Sequence, residues 1–147
     1  MGRMTASGAP ARPEVRSNDV ERGIRASVSA RYPAHVESPR AARHFVSDVM
    51  RKWGFSPDTC DAVELVATEL AANAVVHANS AFSVLIKAGC EVVRVAVYDT
   101  VPIDPARLVV HRRRGLGLVC GLARDWGVDV SAAGKSVWAE IDTLHPG

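Results

Sequence analysis

The stretch TELAANAVVHA, residues 68–78, decides how this chain is read. Most of it is Ala, Val and Leu, the composition of a buried helix. Yet it carries Glu69, Asn73 and His77, each four residues after the last. A spacing of four keeps side chains on one helical face. A carboxylate, an amide and an imidazole are therefore aligned along the helix. The apolar stripe beside them is Val63, Val66, Leu70 and Ala74. The helix starts upstream at Ser56, an N-cap type, with Pro57 at the first helical position. The polar column thus flanks the core face, where polar groups are either structurally satisfied or turned to a ligand.

Upstream, the same device repeats. Ser38 is read as an N-cap with Pro39 behind it, and Ala42, Phe45, Val46, Val49, Met50 and Trp53 form one apolar stripe that Gly54 ends. His44 falls outside that stripe, on the solvent side. Ser27 to Ala34 reads as an edge strand that stops at Pro33. Residues 1–26 are rich in Arg, Ala, Pro, Ser and Gly without any period, the composition of a disordered basic arm.

Downstream, the period changes to two. Strands are expected at about 81–88 and 91–98, joined through Ala88-Gly89-Cys90, with Val93, Val95 and Val97 on one face and Asp99 at the end. Residues 100–114 hold two prolines and no period, which marks a long loop. Gly115 and Gly117 open a short apolar helix that Gly127 is expected to close, and a last hairpin places Val137, Ala139 and Ile141 on one side. The order β-α-α-β-β-loop-α-β-β describes an α/β sandwich: one mixed, mostly antiparallel sheet with helices on one face, in a single domain over residues 27–147.

Composition narrows the classes further. The chain has 147 residues, 48% hydrophobic and 23% charged, with a net charge of +2. This is an ordinary globular balance, too weakly basic to argue for nucleic acid. The basic run His111 to Gly115 is short and lacks interleaved aromatics. Cys60, Cys90 and Cys120 are odd in number and lack metal-ligand spacing, so they read as free thiols of a reducing compartment. There is neither an apolar run of about 18 residues nor a signal-peptide core. The expectation is a cytoplasmic protein.

Three pieces carry chemistry. Glycines at a helix N-terminus let a phosphate approach unpaired N–H groups, which suits Gly115 and Gly117. Mg²⁺ takes oxygen ligands and keeps waters, so Asn73 can supply one neutral oxygen. Glu69, one turn earlier, can orient or deprotonate a nucleophile. Asp99, an acceptor at a strand end, can take a hydrogen bond from an adenine amine. The loop 100–114, with Arg112 to Arg114 near phosphate, would be the lid.

In this order the motifs resemble the Bergerat-fold (GHKL) ATPases, and most of all the small anti-sigma-factor serine kinases. The matching segments are ATELAANAVVHA (67–78), VAVYDT (95–100), RGLGLVCGLARDWGV (114–128) and GKSVWAEI (134–141). The resemblance implies ATP and Mg²⁺ as cofactors. Asn73 would bind the metal and Glu69 would be the catalytic base. His77 would lie near the phosphates or lid, and Asp99 would hold the adenine amine. Arg114, Gly115, Leu116, Gly117 and Leu118 would form the phosphate turn, with Ser136 near the adenine. It further implies a regulatory kinase that sequesters a sigma factor and phosphorylates an anti-sigma antagonist, in a homodimer. The alternative is a nucleotide-binding module that grips a partner without phosphoryl transfer. One position departs from the pattern: where the superfamily has a glycine two residues after the Asp, this chain has Val101, followed by Pro102.

Overall fold

A computed structural model of the chain describes residues 24–101, 119 and 121–143, with only the backbone for Ile24, His77 and Ala78. The arm up to residue 23, Arg114 to Leu118, most of the lid and Cys120 lie outside the described residues.

The elements run β1 (Ile24–Tyr32), α1 (Ser38–Lys52), α2 (Pro57–Asn73), a π-helical turn (Ala74–Ala78), β2 (Phe82–Gly89), β3 (Val92–Asp99), β4 (Asp125–Ser131) and β5 (Gly134–Asp142). Among the described residues five strands lie in the order β1-β2-β3-β5-β4, each neighbouring pair antiparallel. β1 is an edge strand that ends just before Pro33, but it begins at Ile24, so Ile24, Arg25 and Ala26 belong to the strand and not to the arm.

Alternation along the strands explains the layering. Phe82, Val84, Ile86 and Ala88 of β2 are buried, as are Val93, Val95 and Val97 of β3 and Ala139 and Ile141 of β5. On α1, Ala42, Phe45, Val46, Val49 and Met50 are buried; on α2, Val63, Val66, Ala67, Leu70 and Ala71 are buried, and all of these join one core. Each fully buried Val, Leu or Phe contributes about 1.5–3 kcal/mol of transfer free energy. That burial, more than helix propensity, holds the helices to the sheet. Between the helices the half-exposed Arg43 reaches the buried carboxylate of Glu64 at 3.5 Å. Cys60, in the first turn of α2, is buried, and burial together with the nearby Glu64 pushes its thiol pKa up.

Three local expectations are corrected. Ser38 does not cap α1: it is the first helical residue, and its hydroxyl donates to the Pro33 carbonyl at 2.7 Å, tying the helix start to the end of β1. Ser56 does cap α2, accepting from the Thr59 N–H at 3.3 Å. Gly127 does not close a helix. It lies inside β4 opposite Trp138, and a Cβ there would stand 2.7 Å from the indole Cζ2. The indole is held in turn by the Arg94 guanidinium, 4.0 Å from the ring centroid, while Arg94 pairs with Glu140 at 3.2 Å. Gly127→Ala should therefore cost about 1–3 kcal/mol, the usual range for overpacking. Urea unfolding checks this; an unchanged midpoint would mean the indole moves freely.

Tyr32 gives a pH-dependent test. Its ring lies against Phe82, centroids 5.7 Å apart, and its hydroxyl is buried with no hydrogen-bond partner among the described residues. Burial pushes the phenol up from 10.0 to about 12. The folded chain keeps a proton there that the unfolded chain releases, so stability falls as pH rises from about 10 to 12, by about 1.4 kcal/mol per pH unit for this group. Tyr32→Phe should flatten that fall and be neutral or mildly stabilising at neutral pH, since no bond is lost. Denaturation at stepped alkaline pH reads both effects. A loss well above about 1 kcal/mol at neutral pH would mean the hydroxyl has a partner.

Candidate functional site

One end of the sheet collects the chemistry. The cross-strand register pairs Tyr32 with Phe82, Phe82 with Asp99, and Asp99 with Lys135, forming a row over four strands. The polar helix arrives at the same end. The π turn stops at Ala78, and only residues 79–81 separate it from Phe82. At about 3.3–3.6 Å per residue this keeps Ala78 within roughly 14 Å of that row. Both α2 and the π turn pack on β3.

Glu69 and Asn73 are half-buried on α2, beside the core face, as their spacing requires. The column does not continue unchanged. From Ala74 the hydrogen bonding becomes π-helical, so His77 follows a different angular step from that of Glu69 and Asn73. Single π turns of this kind are rare and concentrate at functional sites. Asn79 then ends the segment in the left-handed region at φ 49°, a conformation Asn tolerates better than most residues.

Asp99 is more enclosed than a turn residue would be. Its side chain is 3% exposed, and it pairs with Lys135 Nζ, which lies 2.8 Å from Oδ2 and 3.1 Å from Oδ1, with the lysine 7% exposed. The Val101 N–H donates to Oδ1 at 3.0 Å, a local turn closed by the carboxylate. Among the described residues, Asn79 is the one non-glycine with positive φ, so Val101 sits in ordinary backbone that a β-branched residue adopts without strain. Gly134 has a different demand. At φ 141° it lies against the backbone of Asp99 and Thr100, and a Cβ would fall 2.6 Å from the Thr100 Cα. This close approach seats Lys135 beside Asp99.

Ser136 is buried and paired with Tyr98, one residue out of step with Asp99 along β5. Successive strand residues face opposite sides. The side chain on Asp99's side of β5 is therefore Lys135, while Ser136 lines, with Ser83 and Tyr98, a cavity of about 370 Å³ at the strand ends that Asp99 and Lys135 also border. Lys135 carries no sequence signal of its own. It follows Gly134 in the closing strand, but only the strand register reveals its partner. Among the described residues, no cluster of three His, Cys, Asp or Glu could cage a metal.

The histidine kinase-like ATPase domain matches residues 32–141. The chain belongs to that family. The matched region runs from the end of β1 to the closing strand and so contains Glu69, Asn73, Asp99 and Lys135. No curated protein matches the sequence significantly. Among solved structures, the RsbU and RsbW domains of a Mycobacterium tuberculosis protein superpose with a TM-score of 0.61 at 17% identity, covering 80% of this chain. The chain spans 33% of that protein's length. The likeness establishes the fold as Bergerat-type.

The residues present suit the groups this family implies. Asn73 offers an uncharged oxygen of the type a hard cation takes. The Asp99 carboxylate has about four acceptor positions, of which the described contacts use three, leaving one on Oδ2. No helix among the described residues is long and apolar enough to cross a membrane.

Proposed function

We propose that the chain binds ATP with Mg²⁺ at this end of the sheet and acts as a regulatory protein, an anti-sigma factor that phosphorylates a serine or threonine of an anti-sigma antagonist. The observation that carries the reading is the buried Asp99 at the end of β3, within chain reach of the helix bearing Glu69 and Asn73, in a histidine kinase-like ATPase domain. The structural likeness to a chain with an RsbW domain supports the regulatory half.

In this reading Asp99 accepts from the base, and Asn73 contributes an oxygen to the cation. The cation, when bound, neutralises charge on the transferring phosphoryl group. Glu69 accepts the proton of the attacking hydroxyl. The glycine turn at Gly115 and Gly117, with Arg114, Leu116 and Leu118, cradles the phosphates, and His77 stands near them. Ser136 borders the base. Sigma factor and antagonist compete for one surface, and the working unit is a homodimer in the cytoplasm.

A second reading keeps nucleotide binding but no transfer. It is favoured by the ion pair on Asp99, which gives the base end a different electrostatic character from that of a lone carboxylate. Labelled ATP incubated with a candidate antagonist separates the two: label on the antagonist supports the kinase, and bound nucleotide without transfer supports the module.

Asn73→Ala tests the cation ligand. It removes one half-buried amide and little apolar contact, so the fold should persist while Mg²⁺-dependent ATP binding is lost. Calorimetry with Mg·ATP checks it; unchanged affinity would make Asn73 a structural residue.

A further inference from the structure

We infer that Lys135 is a specificity-determining residue of the base site. Its ammonium donates to the ring nitrogen N1 of adenine while Asp99 accepts from the neighbouring exocyclic amine. The inference rests on the nucleotide reading above and deepens it.

The argument begins with valence. An ammonium carries three N–H donors and no acceptor, and a carboxylate offers about four acceptor positions and no donor. In the described contacts Lys135 directs its nitrogen at both oxygens of Asp99, at 2.8 and 3.1 Å, and the Val101 N–H occupies a further position on Oδ1. One N–H of Lys135 and one lone pair of Oδ2 are left over, on atoms 2.8 Å apart. The pair is therefore a donor set beside an acceptor. The Watson–Crick edge of adenine is its complement: an amine that donates beside a ring nitrogen that accepts.

Burial gives this complementarity weight. Both side chains are more than nine-tenths buried, and both border the cavity of about 370 Å³ at the strand ends. In so dry a place a charged donor without a full set of partners is costly, and a hydrogen bond to a charged group is stronger than a neutral one. Placement is not left to a flexible side chain. Gly134, pressed on the backbone of Asp99 and Thr100, fixes where β5 begins. The register then sets Lys135 directly across from Asp99. A lone carboxylate could read the amine only; the lysine adds a direct reading of N1.

The test compares ATP with 1-deaza-ATP, in which N1 becomes C–H, on the full-length wild-type chain and on Lys135→Met, by calorimetry with Mg²⁺ present. Wild type should bind 1-deaza-ATP about tenfold or more weakly than ATP, the range for losing a bond to a charged donor. Lys135→Met should bind ATP more weakly than wild type and bind the two nucleotides equally. A thermal melt run alongside reports whether the variant is folded. The wild-type comparison stands on its own if it is not.

Equal affinity of wild type for both nucleotides overturns the inference while leaving the nucleotide site intact. So does a folded Lys135→Met that still discriminates against the deaza analogue. Tighter ATP binding by Lys135→Met also overturns it, by showing that the ammonium competes with the base. Failure of ATP itself to bind wild type removes the nucleotide reading and this inference together.

Discussion

Replacing Glu69 with Gln should reduce phosphoryl transfer to a protein acceptor by about 10²–10⁴-fold, the range for loss of a general base, while ATP binding stays close to wild type. The separation follows from position. Glu69 is half-buried one turn before Asn73. Its removal takes away neither the proposed cation oxygen nor the Asp99 acceptor. Glutamine keeps the shape and loses the basicity, so the fold should hold. Transfer of labelled phosphate, measured beside calorimetric binding, reads the two properties independently. Equal turnover in wild type and variant would remove Glu69 from the mechanism. Bound ATP without turnover in either would leave the binding module.

Asp99→Ala should have the largest effect on stability. It strands the ammonium of Lys135, 7% exposed, without its counter-charge. Breaking a buried pair from one side typically costs about 3–5 kcal/mol, a large share of the roughly 5–15 kcal/mol that holds a domain together. Nucleotide binding should be lost as well. Asp99→Asn should be milder, because the amide oxygen can still accept from Lys135 and from the Val101 N–H. Urea unfolding of the two variants checks the order. A loss under about 1 kcal/mol for Asp99→Ala would mean that the pair is solvated in solution.

Much of this architecture could be read from local signals, because those signals are physical. Ser56 and Pro57 began α2 as their chemistry requires, and the apolar stripe of α1 is the buried one. The alternation of Val93, Val95 and Val97 identified the inner face of β3. The strands of the β2–β3 hairpin lie one residue later than the spacing suggests: of the expected connection Ala88-Gly89-Cys90 only Cys90 lies between the strands, joined there by Glu91. Features fixed by tertiary contact were not legible. Ser38 looks like a cap, but the chain reversal after β1 brings the Pro33 carbonyl within reach of its hydroxyl. Gly127 looks like a helix stop, yet a tryptophan ring on the next strand requires its missing side chain. The π turn is invisible to a count of four, which treats residues 69, 73 and 77 as equivalent.

At the site the same division holds. Glu69, Asn73 and Asp99 could be named from spacing and strand ends together with the family resemblance. Lys135 could not, because its role depends on the register of β3 with β5 and on the tight seat of Gly134. Gly134→Ala should accordingly disturb both fold and site, since the added methyl meets backbone and not a side chain that can turn away.

The central claim is that this end of the sheet is a nucleotide site, and calorimetric titration of the full-length chain with ATP in the presence of Mg²⁺ tests it most directly. The expected result is saturable binding of one nucleotide per chain, weakened when Mg²⁺ is chelated and lost in Asn73→Ala. The absence of binding to a folded wild-type chain, or binding indifferent both to Mg²⁺ and to Asn73, would contradict it.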